Sequence, residues 1–155
     1  MGGSIEVPEA PLGAEVHTMG GDITIESAAV YVQAETMGGD IEISEADGWV
    51  KATTMAGDVH VKVVGSHDVT LQSMHGEVRL ELPDGADFDF DVEIRYTKNS
   101  SRGYQIQSAF PLEINESEDW KYDRGNPIKI IRGVASGGGN RVVIRAVNGN
   151  VHLTR

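Results

Sequence analysis

Hydrophobic and polar residues alternate strictly through much of the first half of the chain, and the alternation comes in a repeated unit. The unit Met-Gly-Gly-Asp-Ile-Thr-Ile begins at Met19 and returns, with conservative changes, at steps of 18, 18 and 19 residues. Strict alternation is the period of a β-strand with one buried face. Copies of the unit occupy residues 1–7, 19–25, 37–43, 55–61, 74–80 and 147–153.

Each repeat predicts two short strands. The first strand buries the pairs Ile23 and Ile25, Ile41 and Ile43, Val59 and Val61, and Val78 and Leu80. The second strand buries two columns, Ala14, Val32, Val50 and Val69 beside Val16, Ala34, Ala52 and Leu71, and ends at a polar column of Thr18, Thr36, Thr54 and Ser73. We expect those hydroxyls to hydrogen-bond from coil to coil, as cross-strand Thr pairs do. Coils stacked in register about 4.8 Å apart would share one core, which predicts a single-domain, β-helix-like solenoid with essentially no helix.

The repeat divides the chain into a regular part and an irregular part. We predict one domain over residues 1–155, with regular repeats over 1–82 and a final repeat over 141–155. Residues 83–140 form a wider part with longer strands, and an acidic inserted loop is expected at 115–126.

Within the irregular part, the alternation of Phe, Val, Ile and Tyr with charged residues over 88–96 predicts one long strand with an acidic outer face. A further strand is expected to restart at 104–106 and to end at 111–114. Another is expected at 128–131, followed by a tight Gly-rich turn at 136–140.

Composition narrows the possible partners. The net charge is −11, the chain has no cysteine, and no run of 18 apolar residues occurs. Phosphate binding needs clustered Lys and Arg, so nucleic acid is not an expected partner, and an anionic lipid surface is disfavoured for the same reason. We expect no direct membrane insertion by this segment. Disulfides and thiolate metal sites are excluded, and an export signal or anchor would lie outside this chain.

Two features of the chain resemble the bacterial putative-adhesin family, also called the toast-rack β-strand repeat. They are the repeated unit Thr-Met-x-Gly-Asp-Ile-x-Ile and the closing stretch 137–153, which contains Val147-Asn148-Gly149-Asn150-Val151. The resemblance covers nearly the whole chain and carries no catalytic signature. It implies a bacterial β-repeat domain, exported or attached to the cell envelope, whose biochemical role is mostly unassigned. The chain departs from the family by placing Met before the Gly pair, where a small polar residue is more usual. Bactofilins, which are cytoskeletal β-helix polymers, are the nearest rival and have a different Gly and Ile spacing.

Two ladders of like residues are candidate sites. Asp22, Asp40, Asp58 and Glu77 should form a carboxylate ladder, which invites a calcium hypothesis. Each period holds only one Gly-Asp turn, so we favour a turn role in which Asp accepts local backbone N–H groups. The methionines Met19, Met37, Met55 and Met74 form a second ladder. It is interpreted as covering a corner of the core, the alternative being an adaptable apolar strip for a partner.

No constellation in the sequence indicates an enzyme or a cofactor. One outer column of the first strands contains Glu6, Thr24, Glu42, His60 and Arg79. Such a mixture of charges is what a solvated sheet face ordinarily carries. No Gly-x-Ser-x-Gly elbow occurs in the sequence. The aromatic residues Trp120 and Tyr122, with Trp49 as a weaker candidate, are the proposed ligand-binding residues. Exposed aromatic rings stack on sugars and anchor interfaces, although Trp120 and Tyr122 could equally cap the end of the solenoid.

These observations favour a non-enzymatic structural or adhesion-type module that binds a protein or a surface glycan. A carbohydrate-binding or carbohydrate-active solenoid is the first alternative. A self-assembling, bactofilin-like scaffold is the second, because an open coil end is a template for end-to-end self-association.

Overall fold

The computed structural model describes residues 3–65, 67–83, 88–97, 106–108, 113–116, 121–123, 126–136 and 138–154. These residues form one sheet of 15 strands and contain no helix, so the all-β prediction is confirmed. Within them no helix is long and apolar enough to cross a membrane. The strands are β1 (Ile5–Val7), β2 (Ala14–Thr18), β3 (Ile23–Ile25), β4 (Ala28–Thr36), β5 (Ile41–Thr54), β6 (Val59–Val63), β7 (Val69–Ser73), β8 (Val78–Glu81), β9 (Phe88–Thr97), β10 (Ile106–Ser108), β11 (Glu113–Glu116), β12 (Lys121–Asp123), β13 (Asn126–Ser136), β14 (Asn140–Val147) and β15 (Val151–Thr154).

The strands of the repeats pair in two parallel, in-register rows. The first row contains β1, β3, the start of β5, β6, β8, β15 and β10. The second row contains β2, β4, the end of β5, β7, β14 and β9. Strand β5 belongs to both rows because it runs without a break from Ile41 to Thr54, with a register shift between Ile43 and Ala46.

The hydrophobic columns read from the sequence are confirmed. In the second row Ala14 pairs with Val32, Val32 with Val50, and Val50 with Val69. The first-strand pairs align in the same way, from Ile23 through Ile41 and Val59 to Val78. All these side chains are buried and belong to one core shared by both rows. Alternation with period 2 therefore gave the correct buried face throughout the regular part.

The last copy of the repeat, 147–153, lies directly beside the copy at 74–80. Strand β14 lies between β7 and β9, and β15 lies between β8 and β10, so that Val151 is paired with Val78. After β8 the chain therefore leaves one place empty in each row and forms β9 and β10 beyond it. Strands β14 and β15 later fill these two places.

Antiparallel strands form the far end of the sheet and correct three predictions. Strand β13 pairs antiparallel with β9, and both β11 and β12 pair antiparallel with β13. The predicted loop at 115–126 is wrong, because β11 continues to Glu116, β12 covers Lys121–Asp123 and β13 starts at Asn126. The strand expected to end at 111–114 is two elements, β10 and β11. The strand expected at 128–131 is the longer β13. The long strand predicted at 88–96 is confirmed as β9.

Candidate functional site

The turn that follows each strand of the second row is held by the polar column. Thr36 Oγ1 donates a hydrogen bond to the carbonyl oxygen of Gly21 at 3.0 Å, and Thr54 Oγ1 donates to that of Gly39 at 3.0 Å. Thr18 and Ser73 make the same bond, to Gly3 and Gly57. The predicted bonds between successive repeats are present, but the acceptor is a backbone carbonyl of the preceding repeat and not another hydroxyl. Each hydroxyl is thus satisfied inside a buried corner.

The second glycine of the turn fits against that same carbonyl. A Cβ atom at Gly39 would overlap the carbonyl group of Gly21, and Gly57 meets Gly39 in the same way. At Gly38, one residue earlier, the nearest atom to such a Cβ is 3.9 Å away. Ala56 stands at the position equivalent to Gly38 in the next repeat. The close approach of successive turns therefore requires glycine at one position and tolerates a side chain at its neighbour.

The carboxylate ladder links successive turns through backbone amides. Asp22 Oδ1 accepts the N–H of Asp40 at 2.9 Å, Asp40 Oδ1 accepts that of Asp58 at 2.8 Å, and Asp58 Oδ1 accepts that of Glu77 at 2.8 Å. The N–H group comes from the next coil, 18 or 19 residues on, and is not a local one as expected. In the described part of the chain, no group of three or more His, Cys, Asp or Glu side chains has a geometry suited to a metal ion.

The four methionines of the turns face solvent. Their exposed fractions are 57% for Met19, 44% for Met37 and Met55, and 43% for Met74. The interpretation that they cover a corner of the core is wrong, because the threonine or serine that precedes each methionine already fills the inner position of the turn. We call Met19, Met37, Met55 and Met74 the methionine strip.

A pocket of about 360 Å³ lies at the end of the methionine strip nearest β9. Its lining combines the apolar Met55 and Met74 with the polar Thr53 and Gln72 and with the charged Glu93, Arg95 and Arg145. The residues beside the methionine strip therefore differ between its two ends, with carboxylates near β2 and arginines near β9.

Four arginines surround two mostly buried carboxylates beside that pocket. Asp91, whose side chain is 13% exposed, is 3.3 Å from Arg145, 3.5 Å from Arg132 and 4.0 Å from Arg141. Glu93, whose side chain is 12% exposed, accepts from Arg95 at 2.6 Å. The outer face of β9 was predicted to be acidic, and these guanidinium groups from β13, β14 and β9 itself cover its carboxylates.

Sequence reasoning missed this arginine cluster, although a signal for it was present. Residues 1–94 hold 3 Lys or Arg against 19 Asp or Glu, a net charge of −16, whereas residues 95–155 hold 10 against 5, a net charge of +5. So large a difference in net charge between the two parts of the chain indicates two different surfaces. The overall charge of −11 conceals it.

The outer column of the first row is confirmed as a column. Glu42 pairs with His60, and His60 with Arg79, while His152 continues the same column on β15. Glu77 forms ion pairs with both Arg79 and His152. These contacts are ordinary for a solvated sheet face.

Of the three predicted aromatic residues, the structure describes the side chain of Trp49. Trp49 faces outward as expected, is 43% exposed and stacks on Tyr31, with ring centroids 5.2 Å apart and an angle of 19° between the rings. Trp120 lies outside the described residues. Tyr122 lies in β12, whose backbone pairs with β13 opposite Pro127.

Comparison with known proteins places the chain in a family. No curated protein and no solved structure matches it. The model of the Toastrack DUF4097 family, whose function is unknown, matches residues 12–154. That match covers β2 to β15, and therefore most of the regular repeats, the antiparallel end and the returning strands β14 and β15. The chain therefore belongs to the Toastrack DUF4097 family.

Proposed function

We propose that this chain is a non-enzymatic structural or adhesion-type module of an exported or cell-envelope protein. We further propose that its two parallel rows are the walls of a solenoid, the form of β-repeat in which each coil covers the next. Export and attachment to the envelope follow from the family resemblance. Nucleic acid is not among the proposed partners, and this segment is not proposed to insert in a membrane.

The methionine strip is the observation that carries the proposal of a binding role. Large apolar side chains that are 43–57% exposed are unremarkable when scattered, but four of them on adjacent strands form a continuous apolar surface. Their turns are fixed by buried hydroxyl bonds and by exposed carboxylate bonds from one turn to the next. A rigid frame that presents the same side chain repeatedly is suited to binding an extended partner surface.

Cosedimentation with envelope fragments tests the adhesion role. The purified chain, at increasing concentration, is centrifuged with washed envelopes from the source bacterium, and we expect saturable recovery in the pellet. Recovery that stays at the level of a protein of equal size and charge overturns the proposal. Exposure of the native protein to a membrane-impermeant biotin reagent on intact cells tests export, since labelling only after lysis would contradict it.

A carbohydrate-binding role is supported by a different feature. Tyr31 and Trp49 stack on neighbouring strands and leave part of the Trp49 ring exposed, as in a platform for a sugar ring. Screening the chain against polysaccharides for binding and for cleavage distinguishes this alternative. Binding that is lost in Trp49→Ala supports it, and cleavage would contradict the non-enzymatic proposal.

End-to-end self-association is the remaining alternative. Among the described residues β1 pairs only with β3, and β2 pairs only with β4, so one side of each strand is open to a further strand. Light scattering over a range of concentrations tests this alternative, and a constant monomer mass at all of them excludes it.

A further inference from the structure

The methionine strip has a defined length and chemistry. Its four residues lie on adjacent coils, so at about 4.8 Å per coil the strip is about 14 Å long. The Met55 N–H donates to the Thr36 carbonyl oxygen and the Met74 N–H to that of Thr54, which aligns the backbone at these positions. The unbranched thioether side chain adapts to apolar surfaces of different shape.

Unneutralised carboxylates accompany the strip. Asp22, Asp40 and Asp58 follow the methionines by three residues in the same turns, and each uses one oxygen for the backbone N–H of the next coil. No described residue donates to the second oxygen or forms an ion pair with these three side chains. The fourth member, Glu77, is already paired with Arg79 and His152. Negative charge is thus available beside the first three coils of the strip.

Cationic groups limit the strip at its other end. The row of the methionines continues through Val147 to Arg95, and Arg145 lies beside it in the pocket. A positively charged partner is attracted to the carboxylate side of the strip and repelled from this end. An anionic lipid or an acidic peptide would meet the opposite arrangement along the first three coils, where the carboxylates would repel it.

We propose that the methionine strip binds a basic amphipathic segment of a partner protein. The occupant is a helix whose apolar side chains at positions i, i+3 or i+4, and i+7 contact the methionines, with Lys or Arg along one edge facing Asp22, Asp40 and Asp58. At 1.5 Å per residue, about 10 helical residues cover the strip. This inference rests on the proposed binding function and names the site and the chemistry of its partner.

Calorimetric titration with a designed peptide tests the inference on the full chain. The probe is a 14-residue peptide of Leu and Lys with a helical period, and a peptide with Glu in place of Lys is its counterpart. We expect the Lys peptide to bind and the Glu peptide not to bind. The double variant Met37→Gln with Met55→Gln should weaken binding about tenfold or more, since two apolar contacts are lost. Asp22→Asn with Asp40→Asn should weaken it about threefold to tenfold and reduce its salt dependence.

Matched variants outside the methionine turns separate the strip from general acidity. Leu12→Gln with Val64→Gln changes two exposed apolar residues, and Glu26→Gln with Glu45→Gln removes the same charge as the Asp pair. Both control pairs should leave the affinity within about twofold. Equal losses in the control and strip variants would overturn the inference. So would equal binding of the Glu peptide, or no binding of the Lys peptide by the folded, unaltered chain. Envelope cosedimentation that persists in such a case shows that the proposed function stands without this site.

Discussion

The buried hydroxyl of Thr54 provides the most direct test of how the turns are held. Thr54 is 0% exposed, and its Oγ1 donates at 3.0 Å to the carbonyl oxygen of Gly39 in the preceding turn. Thr54→Val keeps the shape of the side chain and removes only the donor. The substitution therefore isolates the hydrogen bond from the packing of the column.

The expected loss follows from the acceptor that is left behind. A typical intramolecular hydrogen bond contributes about 0.5–1.5 kcal/mol net, and a buried partner left unsatisfied raises the cost to about 1–3 kcal/mol. Valine is accommodated without a cavity, because its volume matches that of threonine, so no large packing term is added. We expect Thr54→Val to lower the free energy of unfolding by about 1–3 kcal/mol.

Urea denaturation followed by circular dichroism measures this difference against two further variants. Thr53→Val changes the neighbouring residue, whose side chain lines the pocket on the outer face, and should shift the free energy by no more than about 0.5 kcal/mol. Thr54→Ser keeps the hydroxyl and loses a methyl group, which costs about 1 kcal/mol. Ser73 occupies the equivalent position naturally. If Thr54→Val is as stable as Thr53→Val, the hydroxyl does not hold the turn and the reasoning fails.

Three further predictions concern the turns and the arginine cluster, and all are measured as urea midpoints. Gly39→Ala should destabilise the chain by about 2–4 kcal/mol, because the added Cβ overlaps a backbone carbonyl. Gly38→Ala should be close to neutral. Similar values for both variants would show that the close approach of the turns does not require glycine at 39. Asp40→Ala should lower the free energy of unfolding by about 0.5–2 kcal/mol. Asp40→Asn should lower it by less than half of that, because the amide oxygen still accepts the N–H of Asp58 in the next repeat. An equal loss in both variants would mean that this hydrogen bond is not the cause. Arg145→Met should lower the free energy of unfolding by about 1–2 kcal/mol, an amount discounted for the partial exposure of this side chain. The loss should exceed that in Arg141→Met, because Arg145 bridges two mostly buried carboxylates. Equal losses in the two variants would refute that ranking.

The regular part of the fold could be predicted from the sequence because its information is local and repeated. One buried face per strand fixes which residues point inward, and a constant step of 18 residues fixes which of them become neighbours. Columns such as Val32, Val50 and Val69 follow from those two facts alone.

The irregular part could not be predicted in the same way, since its pairings join residues far apart in the chain. The repeat aligns Val151 with the position of Val78, but it does not say which copy the last unit pairs with, because the 83–140 segment separates the two in the chain. The residues at 115–126 are polar and acidic, which is typical of a loop. Two short strands, β11 and β12, nevertheless form in and next to this region, because their backbones pair with the antiparallel strand β13. The arginine cluster likewise depends on β13 and β14 lying on either side of β9.

The outward position of the methionines follows from the roles of the other turn residues. Threonine fills the inner corner, the second glycine lies against a carbonyl, and aspartate reaches the amide of the next coil, so the methionine side chain is directed to solvent. Nothing in this arrangement requires an apolar residue at Met37 or Met55, and a polar side chain there would keep every bond of the turn. Exposed apolar rows favour association, which a repeat protein with open strand edges would be expected to avoid. Four methionines at this position therefore agree with the proposed binding role, since the bonds of the turns do not require them.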